Sequence, residues 1–244
     1  TGSTIDGVIG GSSTLDNYTS AATVTLRGTD IVVKNVTSGT ALAVTYSPQH
    51  AHGGYINISI TIDKGASAVW GAETDVLIEN ITSGDGGDST EGSSLHGSSG
   101  GNIGITIVSE TDIYRARHIR TGKGGNGAAK MEIIEGKEYY SSTSGGHGGN
   151  IEIGFYSKNY IFEDFTLGNG GNSPSVTAGY YAYNGNGGNG GCIYASSISN
   201  GTFKDITLGN GGPSGSATAG DTANCGSGGY GGFIGYERGG TTNI

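Results

Sequence analysis

The sequence predicts an all-β chain: a single-stack parallel β-solenoid (β-helix) of about five coils, with Gly-rich insertions at one corner. Three observations predict it. One phrase recurs, as YIFEDFTLGNGGNSPS (160–175) and GTFKDITLGNGGPSGS (201–216), with fainter copies closing on Gly39, Gly84 and Gly122, so that the repeat length is about 40 residues. A second phrase alternates apolar and polar residues as a half-buried strand does, in GYINISI (54–60), GNIGITI (101–107), GNIEIGF (149–155), GCIYASS (191–197) and GFIGYER (232–238). Glycine supplies 51 of 244 residues beside only 3 Pro, with no Gly-X-Y period. Ordering that much glycine is costly, which implies tight corners, close backbone stacking or flexible loops rather than collagen. Self-similarity at a fixed period, without helical spacing, belongs to repeats that bury an apolar face only against their neighbours.

One domain, 1–244, is expected, with 1–22 as an N-terminal strand and assembly segment, 23–231 as the coils and 232–244 as an incomplete terminal coil. STIDGVIGG (3–11) and TVTL (23–26) precede the first full phrase, IVVKNVT (31–37). Three residues before the closing Gly stand Val36, Ile81, Ile119, Phe165 and Ile206; six before it stand Val33, Ile78, Ala116, Phe162 and Phe203. Two apolar columns three apart break strict alternation and predict a bend or bulge. Between them Lys34, Glu79, Arg117, Glu163 and Lys204 alternate in sign. Like charges stacked about 5 Å apart would repel by roughly 1 kcal/mol or more, so this column reads as register control. The next column, Asn35, Asn80, His118, Asp164 and Asp205, is expected to satisfy backbone groups beside the bend.

In the second strand Ile56, Ile103, Ile151, Ile193 and Ile234 share the first inward position and form the expected core ladder. Each fully buried Ile contributes roughly 1.5–3 kcal/mol. Gly-rich excursions of differing length separate the two strands, opening on GDGG, GKGG or GNGG and closing on motifs such as GGHGG (145–149), as loops inserted at one corner do. The last unit has its strand at 232–238 but no bent partner before Ile244, and the one internal candidate for an amphipathic capping helix is AAKMEIIEGKEYY (128–140). Open strand edges recruit other chains, so residues 1–11 or 232–244 are expected to pair with another copy.

The formal charge of −9 (21 Asp+Glu, 12 Lys+Arg) comes without any basic run, which argues against a nucleic-acid partner. No apolar run is long enough to span a bilayer as a helix. Cys192 and Cys225 fall in successive repeats; a disulfide and two buried free thiols are both open readings. Five Asn-x-Ser/Thr acceptors, at Asn17, Asn35, Asn57, Asn80 and Asn200, together with a start at Thr1, suggest a processed, secreted chain.

Around GGCIYASSISNGTFKDITLGNGG (190–212) the chain resembles right-handed parallel β-helix proteins of the pectin-lyase-like type. Within that group it is similar to repetitive surface proteins built on GG-[AI]-I and F-x-x-N units, such as polymorphic outer-membrane and adhesin-like proteins. The likeness is one of repeat style over about residues 20–240, and it departs at Phe162-Glu163-Asp164 and Phe203-Lys204-Asp205, which no Asn follows. It implies a right-handed, secreted or surface-exposed scaffold.

Candidate chemistry is sparse. GHGGNIEIG (146–154), with His147, is similar to the Gly-His-Gly stretch of polygalacturonase-type glycosidases, which need paired carboxylates. The chain has no Asp-Asp pair, no Asn-Thr-Asp and no Arg-Ile-Lys. No catalytic residue, no enzyme activity and no cofactor are therefore expected. Asp85, Asp88 and Glu91 offer oxygen ligands to calcium, or simply form an exposed acidic loop. Tyr139, Tyr140, Tyr180, Tyr181 and Tyr183 lie on the excursions and suit either contact with a partner or packing over neighbouring loops. The expected function is that of an extracellular structural surface protein assembling head to tail with itself. The alternative is an adhesin for a receptor or glycan, of the viral tail-fibre type included. A carbohydrate-active enzyme rests on fold analogy alone.

Overall fold

The computed structural model describes residues 3–6, 20–28, 31–41, 52–62, 76–92, 94–196, 200–237 and 241–243, and every regular element among them is a strand. In chain order these are β1 (Ser3–Asp6), β2 (Ser20–Gly28), β3 (Ile31–Thr37), β4 (Tyr55–Ile62), β5 (Val76–Thr82) and β6 (Ile103–Arg120). Then come β7 (Ala129–Ile134), β8 (Lys137–Ser142), β9 (Ile151–Thr166), β10 (Val176–Ala178), β11 (Tyr181–Tyr183) and β12 (Ile193–Ser196). The last are β13 (Asn200–Thr207), β14 (Ala217–Ala219), β15 (Thr222–Asn224), β16 (Ile234–Glu237) and β17 (Thr241–Asn243). They form an eleven-stranded sheet, a four-stranded sheet and a two-stranded sheet, and pairing is parallel throughout except between β7 and β8.

The large sheet has two tracks. One runs β2–β4–β6–β9–β12–β16 and the other β1–β3–β5–β6–β9–β13–β17, because the long strands β6 and β9 pass from the first track into the second. On the first track Ile56, Ile103, Ile151, Ile193 and Ile234 pair in consecutive register; the first four are fully buried and Ile234 is partly so. On the second, Val33–Ile78–Ala116–Phe162–Phe203 and Val36–Ile81–Ile119–Phe165–Ile206 do the same. Inward residues of both tracks meet in one apolar core. Toward the later repeats this core turns aromatic: Phe162 lies 5.5 Å from Tyr114, 5.1 Å from Tyr160, 5.4 Å from Phe165 and 5.1 Å from Phe203, centroid to centroid.

The bend has a single cause. Asn35, Asn80, His118, Asp164 and Asp205 all adopt left-handed backbone, with φ of 54°, 57°, 56°, 55° and 55°. One such residue between the two apolar columns turns the strand, so that both columns face inward. Outside Gly, left-handed conformation falls mainly to Asn, Asp and His, which accounts for the identities in this column. Side chains then join rung to rung: Asn80 Nδ2 donates to Asn35 Oδ1 at 2.9 Å, and His118 Nδ1 lies 2.6 Å from Asp164 Oδ2. Asn80→Val is expected to cost about 1–3 kcal/mol in thermal unfolding, since a β-branched residue is strained there. Asn80→Gly, which removes that strain, should cost clearly less.

The charge column one residue earlier closes into ion pairs. Glu79 takes Lys34 Nζ at 3.2 Å and Arg117 Nε at 2.7 Å, and Glu163 takes Lys204 Nζ at 2.6 Å. Burial alone would raise the Glu79 carboxyl, but hydrogen bonds and charge from Arg117 and Lys34 outweigh it and hold the group below the usual carboxylate range. The register of β1 on β3 sets Asp6 beside Lys34, which carries the alternation one rung further.

Segment 128–140 is strand, in keeping with an all-β chain: β7 and β8 form an antiparallel hairpin whose turn residues, Glu135 and Gly136, have φ of 51° and 74°. Two left-handed residues in a two-residue turn suit the twist of a hairpin, and β8 gains further pairing from β11. In the terminal repeat β17 pairs with β13 from Asn200 to Thr202, short of the bend at Asp205.

Candidate functional site

The Gly-rich excursions are regular without being strands. Each has an outgoing run (38–41, 83–88, 121–128, 167–175, 208–216) and a returning run (52–54, 94–102, 143–150, 184–192, 225–233). Their hydrogen bonds repeat every third residue. In one outgoing run the N–H groups of Thr121, Gly124 and Gly127 donate to the carbonyls of Thr166, Asn169 and Asn172 in the next repeat. Gly125 donates across to the carbonyl of Ser98 in a returning run, and the N–H groups of Lys123 and Asn126 donate to the carboxylates of Asp85 and Asp88 in the preceding repeat. Returning runs follow the same rule, with Gly145 and Gly148 donating along the stack to Asn186 and Asn189, and Gly146 and Gly149 donating across to Gly125 and Gly122. Three residues per turn with no bonds inside the run is polyproline-II geometry.

Outgoing and returning runs therefore lie back to back as two layers of backbone. A Cβ at Gly171 would collide with the carbonyl oxygen of Gly125, and one at Gly188 with that of Gly146. A buried hydroxyl column ties the two layers to each other: Ser38, Ser83 and Thr121 donate to the carbonyls of Gly54, Gly101 and Gly149 and accept the N–H of Gly84, Gly122 and Gly168.

This geometry disposes of several sequence candidates. Asp85 and Asp88 sit on the outer face three residues apart, roughly 9 Å along such a run, and each accepts a backbone N–H. With Glu91 exposed at the tip they do not converge, and among the described residues no group of three His, Cys, Asp or Glu side chains is placed to hold a metal. Cys192 is buried and free, and Cys225 is exposed and free. Register sets Cys225 above Asn184, eight residues from Cys192 along a returning run, so about 25 Å separates the thiols and a disulfide between them does not form.

His147 is exposed; its Nδ1 accepts the N–H of Asn189, and it lines a shallow recess with His52, His96 and Tyr230 that includes no carboxylate. Tyr139 packs on Tyr180 and Tyr181 at 5.5 and 5.9 Å, with Lys137 Nζ 4.1 Å above Tyr180. Tyr140 packs against the small apolar cluster of Val176, Ala178 and Ala182, while Tyr183 is exposed. Asn35 and Asn80 stand in the left-handed column, Asn57 faces outward from β4, Asn200 opens β13, and Asn17 lies outside the described residues.

A groove not anticipated from the sequence crosses the outer face of β4, β6, β9, β12 and β16, with a volume of about 790 Å³. Its walls are Tyr55 on one side and Tyr194 with Phe233 on the other; the latter two rings meet edge to face at 5.5 Å and 88°. Glu152, Asn57 and Asn150 supply polar groups between them. Partial burial, with Glu152 close by, pushes the Tyr55 hydroxyl up. Past Asn150, Tyr194 and Phe233 the surface continues to the exposed Tyr230. The outward positions of the alternating strands were the signal for this groove, but which of them become neighbours depends on register between repeats.

Comparison with family models, with curated proteins and with solved structures finds no match. No helix among the described residues is long and apolar enough to cross a membrane.

Proposed function

We propose that this chain is an extracellular scaffold, a single parallel β-solenoid whose repeats continue from one copy into the next, head to tail. The observation that carries the reading is a pair of glycines. In the returning runs Gly97 and Gly100, Gly145 and Gly148, and Gly187 and Gly190 all lie against an outgoing run of the following repeat, where a Cβ would strike a carbonyl oxygen. Their equivalents in the last repeat are Gly228 and Gly231. A Cβ at Gly228 would find only the Gly212 oxygen at 3.8 Å, and one at Gly231 would find nothing within 4 Å. Glycine at those two places suits a further outgoing run laid on that end by a second copy.

Two features agree with this. Among the described residues β16 and β17 at one end, and β1 and β2 at the other, pair on one side only, and such edges recruit strands. Among the described residues the alternating charge column also runs from Asp6 to Lys204, which are opposite in sign. A contact between unlike ends that does not close into a ring gives a filament.

Sedimentation and negative-stain microscopy test the reading. The parent chain should form polymers that lengthen with concentration. The double variant Gly228→Leu, Gly231→Leu should stay monomeric and melt as the dilute, unassembled parent does, because its new side chains meet solvent within one copy. A parent chain that remains monomeric at high concentration would sink the reading.

A further inference from the structure

We propose that the groove on the outer face of β4, β6, β9, β12 and β16 is a binding site for a neutral carbohydrate chain. Its floor is made by three strand glycines, Gly104, Gly154 and Gly235. None of them has left-handed backbone, and none lies against another backbone as the glycines of the excursions do. A Cβ at Gly154 would meet only the Ser196 hydroxyl at 3.6 Å; at Gly235 it would meet the rings of Phe233 and Tyr194; at Gly104 it would meet the end of the Tyr55 side chain. Glycine weakens a strand, and within a strand it marks a bulge or a close approach by something else. Register is continuous through all three positions; Tyr55 makes the close approach at Gly104 and Phe233 at Gly235, and the space over Gly154 between these walls is left to a ligand.

The walls suit a sugar. Tyr194 is 42% exposed, Phe233 50% and Tyr230 82%, so each presents a large apolar face to water. Aromatic faces pack on the C–H faces of pyranose rings, and a few convergent polar groups then fix orientation. Glu152, Asn57, Asn150 and Thr106 provide acceptors and donors for hydroxyls. Charge selects the class: among the described residues Glu152 is the one ionised residue lining the groove, and the whole chain carries −9. A polyuronate or a sulfated glycan would be repelled, whereas an uncharged chain would not. Tyr55 and Phe233 occupy the same column four rungs apart, just before the isoleucine ladder, so the walls stand about 19 Å apart along the stack. That is long enough for several sugar residues and too long for a single one.

Calorimetric titration of the full chain tests the site, with uncharged hexasaccharides of glucose, mannose and N-acetylglucosamine and with hexagalacturonate as the charged control. At least one uncharged hexasaccharide should bind, and hexagalacturonate should not. Tyr194→Ala and Phe233→Ala should each weaken binding about tenfold or more, and Gly154→Trp, which fills the floor, should abolish it. All three changes are at the surface, so melting curves should match the parent. Tyr139→Ala, on the excursion tips, should leave binding unchanged. No binding by any uncharged hexasaccharide at millimolar concentration, equal binding of hexagalacturonate, or binding indifferent to Tyr194→Ala would each overturn the proposal.

Discussion

Gly171→Ala is expected to destabilise the protein by more than about 4 kcal/mol, a loss seen only where a mutation has no place to go. The added methyl would run into the carbonyl oxygen of Gly125. That oxygen accepts the N–H of Gly146, and Gly171 itself donates to Gly146 and accepts from Gly188, so a shift breaks bonds on both layers. Ordinary overpacking costs about 1–3 kcal/mol because side chains yield; a backbone held on several sides does not. Against a total stability of about 5–15 kcal/mol, little folded protein should remain in circular dichroism or in soluble yield. The same change at Gly231, which has open space within one copy, should fall within about 0.5 kcal/mol of the parent when both are compared as dilute monomers. Equal effects at the two sites would show that the layers are not packed as described.

Phe162→Ala should cost about 3–5 kcal/mol. The ring is fully buried, with Tyr114, Tyr160, Phe165 and Phe203 around it. Its partner one rung below is Ala116, too small to move into the space left. Chemical denaturation should therefore show a lowered midpoint with little change of slope. A loss below about 1 kcal/mol would mean that the aromatic cluster collapses freely and is not a rigid centre of the core.

The strand phrases were readable because alternation is a property of side chains. Ile56, Ile103, Ile151, Ile193 and Ile234 were identifiable as one inward column before any contact was known, and the register pairs them in series. The break between Val33 and Val36 announced a bend, and the Asn, Asn, His, Asp, Asp column contained its cause, since those are the side chains that tolerate left-handed backbone. The excursions were less readable. Their regularity lies in backbone hydrogen bonds, which leave no apolar pattern, so runs such as GKGGNG looked like corner loops although their three-residue spacing was present. Segment 128–140 offered good helix formers, and pairing of β8 with β11 outweighed that local preference. The groove was hidden for another reason: Tyr55, Glu152 and Tyr194 each look like an ordinary solvent-facing residue until four repeats are laid side by side.

The paired glycine layers have a thermal consequence. They enclose almost no hydrocarbon and are joined by amide-to-carbonyl bonds, so opening them hydrates peptide groups far more than apolar surface. Apolar hydration raises the heat capacity of unfolding, by about +0.45 cal/K/mol/Å², and polar hydration lowers it, by about −0.26. For these layers the increment per residue should fall well below the usual value of about 12–15 cal/mol/K. The isoleucine and aromatic core loses driving force on cooling, as apolar cores do, but the glycine layers do not share that weakness. Their stability curve is correspondingly flat, and the excursions should hold their shape in the cold.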